Sequence, residues 1–232
     1  HLFGKTLTWD SKRSGAVGSI SLEGIEHVLD ELDLVLGESE NAKKLSILFR
    51  EAYANHSNLA DASRFLVNKL FGQYGLVILD GDDARLKSQF VSVIKKDVLH
   101  QGFIETISDC SQSLAKAYKT QAFVREINFF KLSEGKRKRV EGVVSESEIE
   151  ESPEKFSPNV LMRPLYQETV LPNLAYIGGG AEIAYWMQMK TAFEQESIPF
   201  PVLLLRNSAL WMEQNQLDKW QKLGFETGDL FL

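Results

Sequence analysis

Apolar residues recur at helical spacing over the first third of the chain. Leu22, Ile25, Leu29, Leu32 and Leu36 fall at steps of three and four and predict one amphipathic helix, closed by Gly37. Leu45, Leu48, Phe49, Ala52 and Tyr53 predict a second helix over Asn41–Asn55. Phe65, Leu66, Leu70 and Phe71 predict a third, capped by Asn58 or Asp61 and ending near Gly72. The pattern then changes period. Gly75–Asp80 (GLVILD) is a continuous apolar run and predicts a buried parallel strand. Ahead of these helices, Lys5–Trp9 alternates like a short strand, and Gly15 to Gly18 reads as a turn.

From Ala84 a helical pattern runs to about Lys119 with a predicted break at Gln101-Gly102. Cys110 falls on its apolar face, as a core thiol would. Phe123–Ser133 and Arg137–Val144 are strand-like on either side of Glu134-Gly135 and predict a hairpin. Ser145–Lys155 predicts a short capped helix or loop. Arg163-Pro164 marks a helix start. Leu174–Ile177 is of strand length, three glycines follow at Gly178–Gly180, and a helix opens at once through Ile183 and Trp186. Val202–Leu205 is a further predicted buried strand, and Gln216–Leu223 a last helix stopped by Gly224. Strands alternating with helices predict an α/β fold with a parallel sheet.

Composition narrows the function classes. Apolar residues make up 44% of the chain and charged residues 25%, which is ordinary for a globular protein. A net charge of −6 disfavours a general nucleic-acid binder. No apolar run is long enough to span a membrane. One cysteine excludes an internal disulfide and suits a reducing cytoplasm. The four histidines are scattered, with no metal-ligand spacing. His27 and His56 read as structural.

Three predicted strand ends carry polar clusters: Asp80–Asp83, Gly178–Glu182 and Arg206–Ser208. In an open parallel sheet such ends converge on the ligand-binding edge. The glycine turn offers backbone N–H groups and a helix N-terminus to an anion, although three glycines serve equally as a plain tight turn. Asp80, Asp82 and Asp83 could hold Mg²⁺ or accept from hydroxyls or an amine, and Asp82 or Asp83 could simply cap a helix. Arg163 is suited to a carboxylate or phosphate. The basic run Lys136–Arg139 reads as a solvated hairpin loop, with a nucleic-acid patch as the alternative.

The stretches SPNVLMRPLYQETVLPNLAYIGGGAEIAYWMQMK and PFPVLLLRNSALWME, with GAVG, GLVILDGDD and REINFF upstream in the same order, resemble the bacillithiol-biosynthesis cysteine-adding enzyme family. The resemblance spans nearly the whole chain. It implies a Rossmann-like α/β core with helical and β-hairpin insertions of the connecting-peptide type. Residues 1–83 would be one core part with a helical insertion, 84–155 a helical and hairpin insertion, and 156–232 the second half of the core. It implies a cytoplasmic ligase joining L-cysteine to glucosaminyl-malate with ATP, acting through its Mg²⁺ complex or alone. It further implies that this chain is an internal portion, lacking an acidic-histidine motif before His1 and a C-terminal coiled coil that makes a homodimer.

Carried over residue by residue, the resemblance gives Arg163, Gln167, Glu168 and Asp80 catalytic or orienting roles, with Arg163 suited to the malate or the cysteine carboxylate. Gly178, Gly179, Gly180 and Glu182 would hold nucleotide phosphate or ribose. Arg206, Asn207 and Ser208 stand where a phosphate loop follows the strand in similar folds, although a lysine-serine-lysine signature is missing. Asp82, Asp83 and Tyr166 would contact substrate. No resident metal ion, nucleic-acid partner or membrane is implied. A nucleotide-sugar glycosyltransferase using Asp80-Gly81-Asp82, and a non-catalytic scaffold, are the rival readings.

Overall fold

The computed structural model describes residues 5–9, 16–133 and 135–231. Three helices come first: α1 (Glu26–Leu36), α2 (Glu40–Ala54) and α3 (Leu59–Phe71). Ser39 caps α2 by accepting from Ala42 N, and Asn58 caps α3 by accepting from Asp61 N. Leu22, Ile25, Leu29 and Ala62 are buried between them and form a small core of their own. His27 and His56 each bond a backbone oxygen one turn away, at Gly24 and Ala52, which is the structural role expected of them.

The predicted long helix is three pieces: α4 (Ala84–Lys87), α5 (Val91–His100) and α6 (Ile104–Ala115). The break falls at Gln101, whose φ of 53° ends α5 in a left-handed cap. Cys110 is half-buried rather than a core thiol, with Sγ 3.4 Å from Met187 O.

The hairpin forms, but shorter than its apolar runs suggest. Strands β1 (Phe129–Ser133) and β2 (Lys136–Arg139) pair antiparallel, and β1 also pairs with β3 (Phe156–Pro158). Between them lies α7 (Glu146–Glu151), capped by Ser145. Beyond β3 come α8 (Met162–Val170), β4 (Ala175–Gly178), α9 (Gly180–Met187), α10 (Lys190–Gln195), β5 (Val202–Leu205) and α11 (Gln214–Lys222). The main core joins these parts, with Phe90, Phe103, Phe156, Met162, Leu165, Trp186 and Phe193 all almost fully buried.

Strands β4 and β5 form the parallel pair, in register Tyr176↔Leu203 and Gly178↔Leu205. Tyr176 and Leu203 pack against the core, whereas Ile177, Val202 and Leu204 on the opposite face are exposed. Val202–Leu205 is therefore a strand as predicted, but covered on one face only. Gly75–Asp80 departs further from expectation. Gly75 is left-handed at the end of a 3₁₀ turn, residues 76–80 form no ladder, and Leu76, Val77 and Leu79 are exposed. A buried parallel strand needs a neighbour for its backbone and a layer on each face, and the described residues supply neither. Lys5–Trp9 likewise forms no strand beyond a single bridge residue at Lys5. Of the Gly15 to Gly18 turn, Gly15 lies outside the described residues, and Val17–Ser19 is one 3₁₀ turn.

No helix among the described residues is long and apolar enough to cross a membrane.

Candidate functional site

The site is built at the carboxyl edge of the β4–β5 pair. Arg206 N donates to Gly178 O at 2.9 Å, continuing the ladder one residue past β5. This brings Arg206 across the glycine turn. A Cβ on Gly178 would stand 2.6 Å from the Tyr176 ring and 3.2 Å from Glu182 Cβ, so packing alone demands glycine there. A Cβ on Gly179 would meet the Arg206 guanidinium at 3.2 Å, while Gly180 faces open space. Gly179 has φ −70°, so it serves close approach rather than an unusual backbone conformation.

Glu182 reaches back along the first turn of α9, and its Oε2 accepts from Gly179 N at 2.8 Å. That bond lowers its pKa most, with Arg206 and Arg163 adding to the effect against partial burial. Arg163, in the first turn of α8, lies 3.9 Å from Glu182 and donates to the Tyr185 hydroxyl. Burial, Tyr185 and Glu182 push the Tyr176 phenol up to about 12, so it remains a neutral hydroxyl. Two guanidiniums thus flank one carboxylate at a helix N-terminus. Such an arrangement can hold phosphate oxygens on Arg206 and the free N–H groups of the helix. Glu182 can accept from a ribose hydroxyl or an amine.

Other sequence-predicted residues stand apart from this cluster. Glu168 is buried and turned to the far end of α8, where it accepts from Asn173 N at 2.7 Å and Asn173 Nδ2 at 2.9 Å. Gln167 donates to Glu168 at 3.2 Å. Both hold the loop that leads into β4. Asn207 and Ser208 are exposed beyond the sheet edge.

The acidic turn is internally satisfied. Asp80 Oδ1 accepts from Asp82 N at 2.9 Å. Asp83 caps α4 by accepting from Arg85 N, and the Arg85 side chain and that backbone bond hold its pKa at about 2. Asp82 pairs at 2.7 Å with the buried Lys87 ammonium, which also donates to Glu154 O. Tyr166 ties the turn to α8 by donating to Gly81 O at 3.0 Å, and burial beside the three aspartates raises its pKa to about 12. Among the described residues the turn therefore does not sit at a paired strand's end, and Tyr166 ties it to the helix that carries Arg163 to Glu182. Among the described residues no group of three His, Cys, Asp or Glu side chains could hold a metal ion. Asp82→Ala strands the Lys87 charge and is expected to cost about 3 kcal/mol of stability, read by urea denaturation. Lys87→Met in the same chain should recover much of that loss.

Sequence reasoning missed a buried polar relay that fixes α8. Asp97, fully buried, accepts from Asn128 N at 2.6 Å and from Asn128 Nδ2 at 3.0 Å. Asn159 Nδ2 donates to Asn128 Oδ1 at 2.9 Å. The Asn159 side-chain oxygen accepts from Leu161 N and Met162 N, capping the helix that carries Arg163. Asn128, set between Ile127 and the Phe129-Phe130 pair, was the available signal. Burial raises the Asp97 pKa from 3.8 to about 6, against the Asn128 bonds that lower it. The folded value lies above the unfolded one. Asp97's contribution is therefore fully present below pH 3.8 and is lost as the pH rises through about 6. The urea midpoint of the wild type relative to Asp97→Asn should fall across that window and level off above it.

The parallel β4–β5 pair, with a glycine turn and a helix N-terminus at its carboxyl edge, has the arrangement at which Rossmann-like α/β folds place their ligands. Residues 1–207 match the family described as "Bacillithiol biosynthesis BshC, N-terminal Rossmann-like domain", and the chain belongs to that family. The chain is 44% identical to a protein of Flavobacterium psychrophilum over 99% of its own length and 46% of the relative's. It is 40% identical to one of Christiangramia forsetii over 100% and 47% of the two lengths. It is 27% identical to one of Bacillus cytotoxicus over 95% and 45%. Each carries the name "Putative cysteine ligase BshC". The chain spans about half the length of these relatives.

Proposed function

We propose that the complete protein is a cytoplasmic ligase of bacillithiol biosynthesis, joining L-cysteine to the amine of glucosaminyl-malate with ATP. The observation that carries this reading is the meeting of the glycine turn, Arg206, Glu182 and Arg163 at one sheet edge. The family membership and the names of the relatives support the substrate class.

In the proposed reaction a cysteine carboxylate oxygen attacks a phosphorus of ATP, and the rest of the nucleotide's phosphate chain, as ADP or pyrophosphate, leaves with the electron pair of the broken P–O bond. The substrate amine then attacks the acyl carbon, losing a proton. The activated phosphate departs with the carboxylate oxygen, leaving an amide. Arg206 and the first N–H groups of α9 hold the phosphates, and any Mg²⁺ travels with them. Arg163 pairs with the cysteine carboxylate, and Glu182 accepts from ribose or the incoming amine. Positioned donors carry the developing charge. We further propose that the complete protein is a homodimer joined through a coiled coil.

Deleting the encoding gene and measuring low-molecular-weight thiols tests the reading. Loss of bacillithiol with accumulation of glucosaminyl-malate is expected. Persistence of bacillithiol in a strain with no second family member would overturn it.

A further inference from the structure

Four consecutive basic residues, Lys136–Arg139, make up strand β2. Strand alternation separates them into two pairs, because successive side chains point to opposite faces. Arg137 and Arg139 lie opposite Leu132 and Phe130, and so share a face with those residues. Lys136 and Lys138 take the other face. The Arg137 guanidinium stacks 3.6 Å from the Phe130 ring centre, and that of Arg139 lies 5.4 Å from it. The basic run is thus a paired strand and not the solvated hairpin loop expected from the sequence, with lysines on one face and an ordered arginine surface on the other.

That surface borders a cleft of about 390 Å³ lined by Arg125, Phe130, Arg137, Arg139, Asn159 and Val160, among others. Among the described residues no aspartate or glutamate lines it. Glu126 lies on the adjoining surface beyond Arg125 and Arg139. The hydrogen bonds of Arg137 go to neutral oxygens, Ser157 Oγ at 3.2 Å and Pro158 O at 3.0 Å. Partial burial lowers its pKa, opposed by Asp82, whose own partner is Lys87. Three arginines thus line the cleft with no carboxylate among its described lining residues, and their like charges favour entry of an anion. The cleft is also preformed, since Asn159 is held by the Asp97–Asn128 relay. Arg163 follows Val160 by three residues, so the cleft adjoins the start of the helix that carries Arg163 to Glu182.

We propose that this cleft is a binding site for a compact dianion, gripped by Arg125, Arg137 and Arg139. Guanidinium forks match carboxylate and phosphate oxygens alike, so the dianion is a dicarboxylate or a phosphate. The site stands independently of the nucleotide chemistry. Where the proposed ligation holds, the malate end of the amine substrate is the dianion it takes. That extension rests on the proposed function, and it leaves Arg163 to the cysteine carboxylate.

Calorimetric titration of the complete protein at low salt tests the proposal, with L-malate, inorganic pyrophosphate and ATP as separate titrants. Arg139→Gln and Arg125→Gln remove exposed charges from the cleft, and Lys138→Gln removes one from the opposite face. Thermal melting confirms that each variant is folded. The proposal expects malate or pyrophosphate binding to weaken at least about tenfold in both arginine variants and to stay unchanged in Lys138→Gln. Stronger binding of malate assigns the site to a dicarboxylate, and stronger binding of pyrophosphate assigns it to a phosphate. ATP binding that survives Arg139→Gln shows the two sites to be separate. ATP failing to bind while malate binds in this pattern sinks the nucleotide reading alone. No binding of either small anion at millimolar concentration overturns the proposal. So does equal sensitivity to Lys138→Gln, or an oligonucleotide that binds more tightly than both.

Discussion

Replacing Trp186 by alanine is expected to lower folding stability by about 3–5 kcal/mol. The indole is almost fully buried and stacks on Tyr176 with ring centres 4.0 Å apart. Phe193 and Phe200 close around it at 5.9 and 6.2 Å. This cluster fixes α9 against β4, so the same substitution loosens the first turn that carries Glu182. Total stabilities of such domains are about 5–15 kcal/mol, so a large share is removed. Urea denaturation should show a lower midpoint with an unchanged slope. Trp186 Nε1 is buried without a hydrogen-bond partner among the described residues. Trp186→Phe keeps a ring in the stack and removes that orphaned donor, so it should cost much less than the alanine variant. Equal losses in the two variants would contradict the stacking account.

The second large effect is on activity. Arg206→Ala in the complete protein is expected to lower kcat/KM by about 10²–10³-fold, the usual cost of deleting a positioned charge-stabilising donor. Arg206 is exposed, and its backbone bond to Gly178 survives the substitution, so the melting temperature should barely move. Arg206→Lys should restore only part of the rate, because a point charge does not replace the guanidinium fork. Full activity in Arg206→Ala would remove this residue from the proposed site.

Much of the fold was legible because period and punctuation agree in this sequence. Gly37, Asn58, Gln101-Gly102 and Gly224 mark boundaries that the structure keeps within a few residues. The glycine turn was legible for the same reason: a strand, small residues and a helix start in direct succession. Gly75–Asp80 was misread because an apolar run records what the segment tends to bury, not whether a partner strand lies beside it. The acidic turn was ambiguous in sequence for a different reason. A helix cap, a turn-closing carboxylate and a ligand contact all call for aspartate, and only the partners of Asp80, Asp82 and Asp83 separate these roles. Glu168 shows the same limit, since its bonds to Asn173 depend on the path of the chain after α8. The Asp97–Asn128–Asn159 relay joins three segments far apart in sequence, and no local pattern encodes it. Arg137 and Arg139 became distinct from Lys136 and Lys138 only once the hairpin register was known.

In the proposed ligation, ATP and cysteine meet at the Gly178–Gly180 edge beside Arg206, Glu182 and Arg163. Incubating the complete protein with ATP, L-cysteine and glucosaminyl-malate, followed by mass spectrometry, tests it most directly. An amide product of cysteine and the amine is expected in step with ATP consumption, with both lost in Arg206→Ala. A folded protein that forms no product under these conditions, or forms it equally well without ATP, would contradict it.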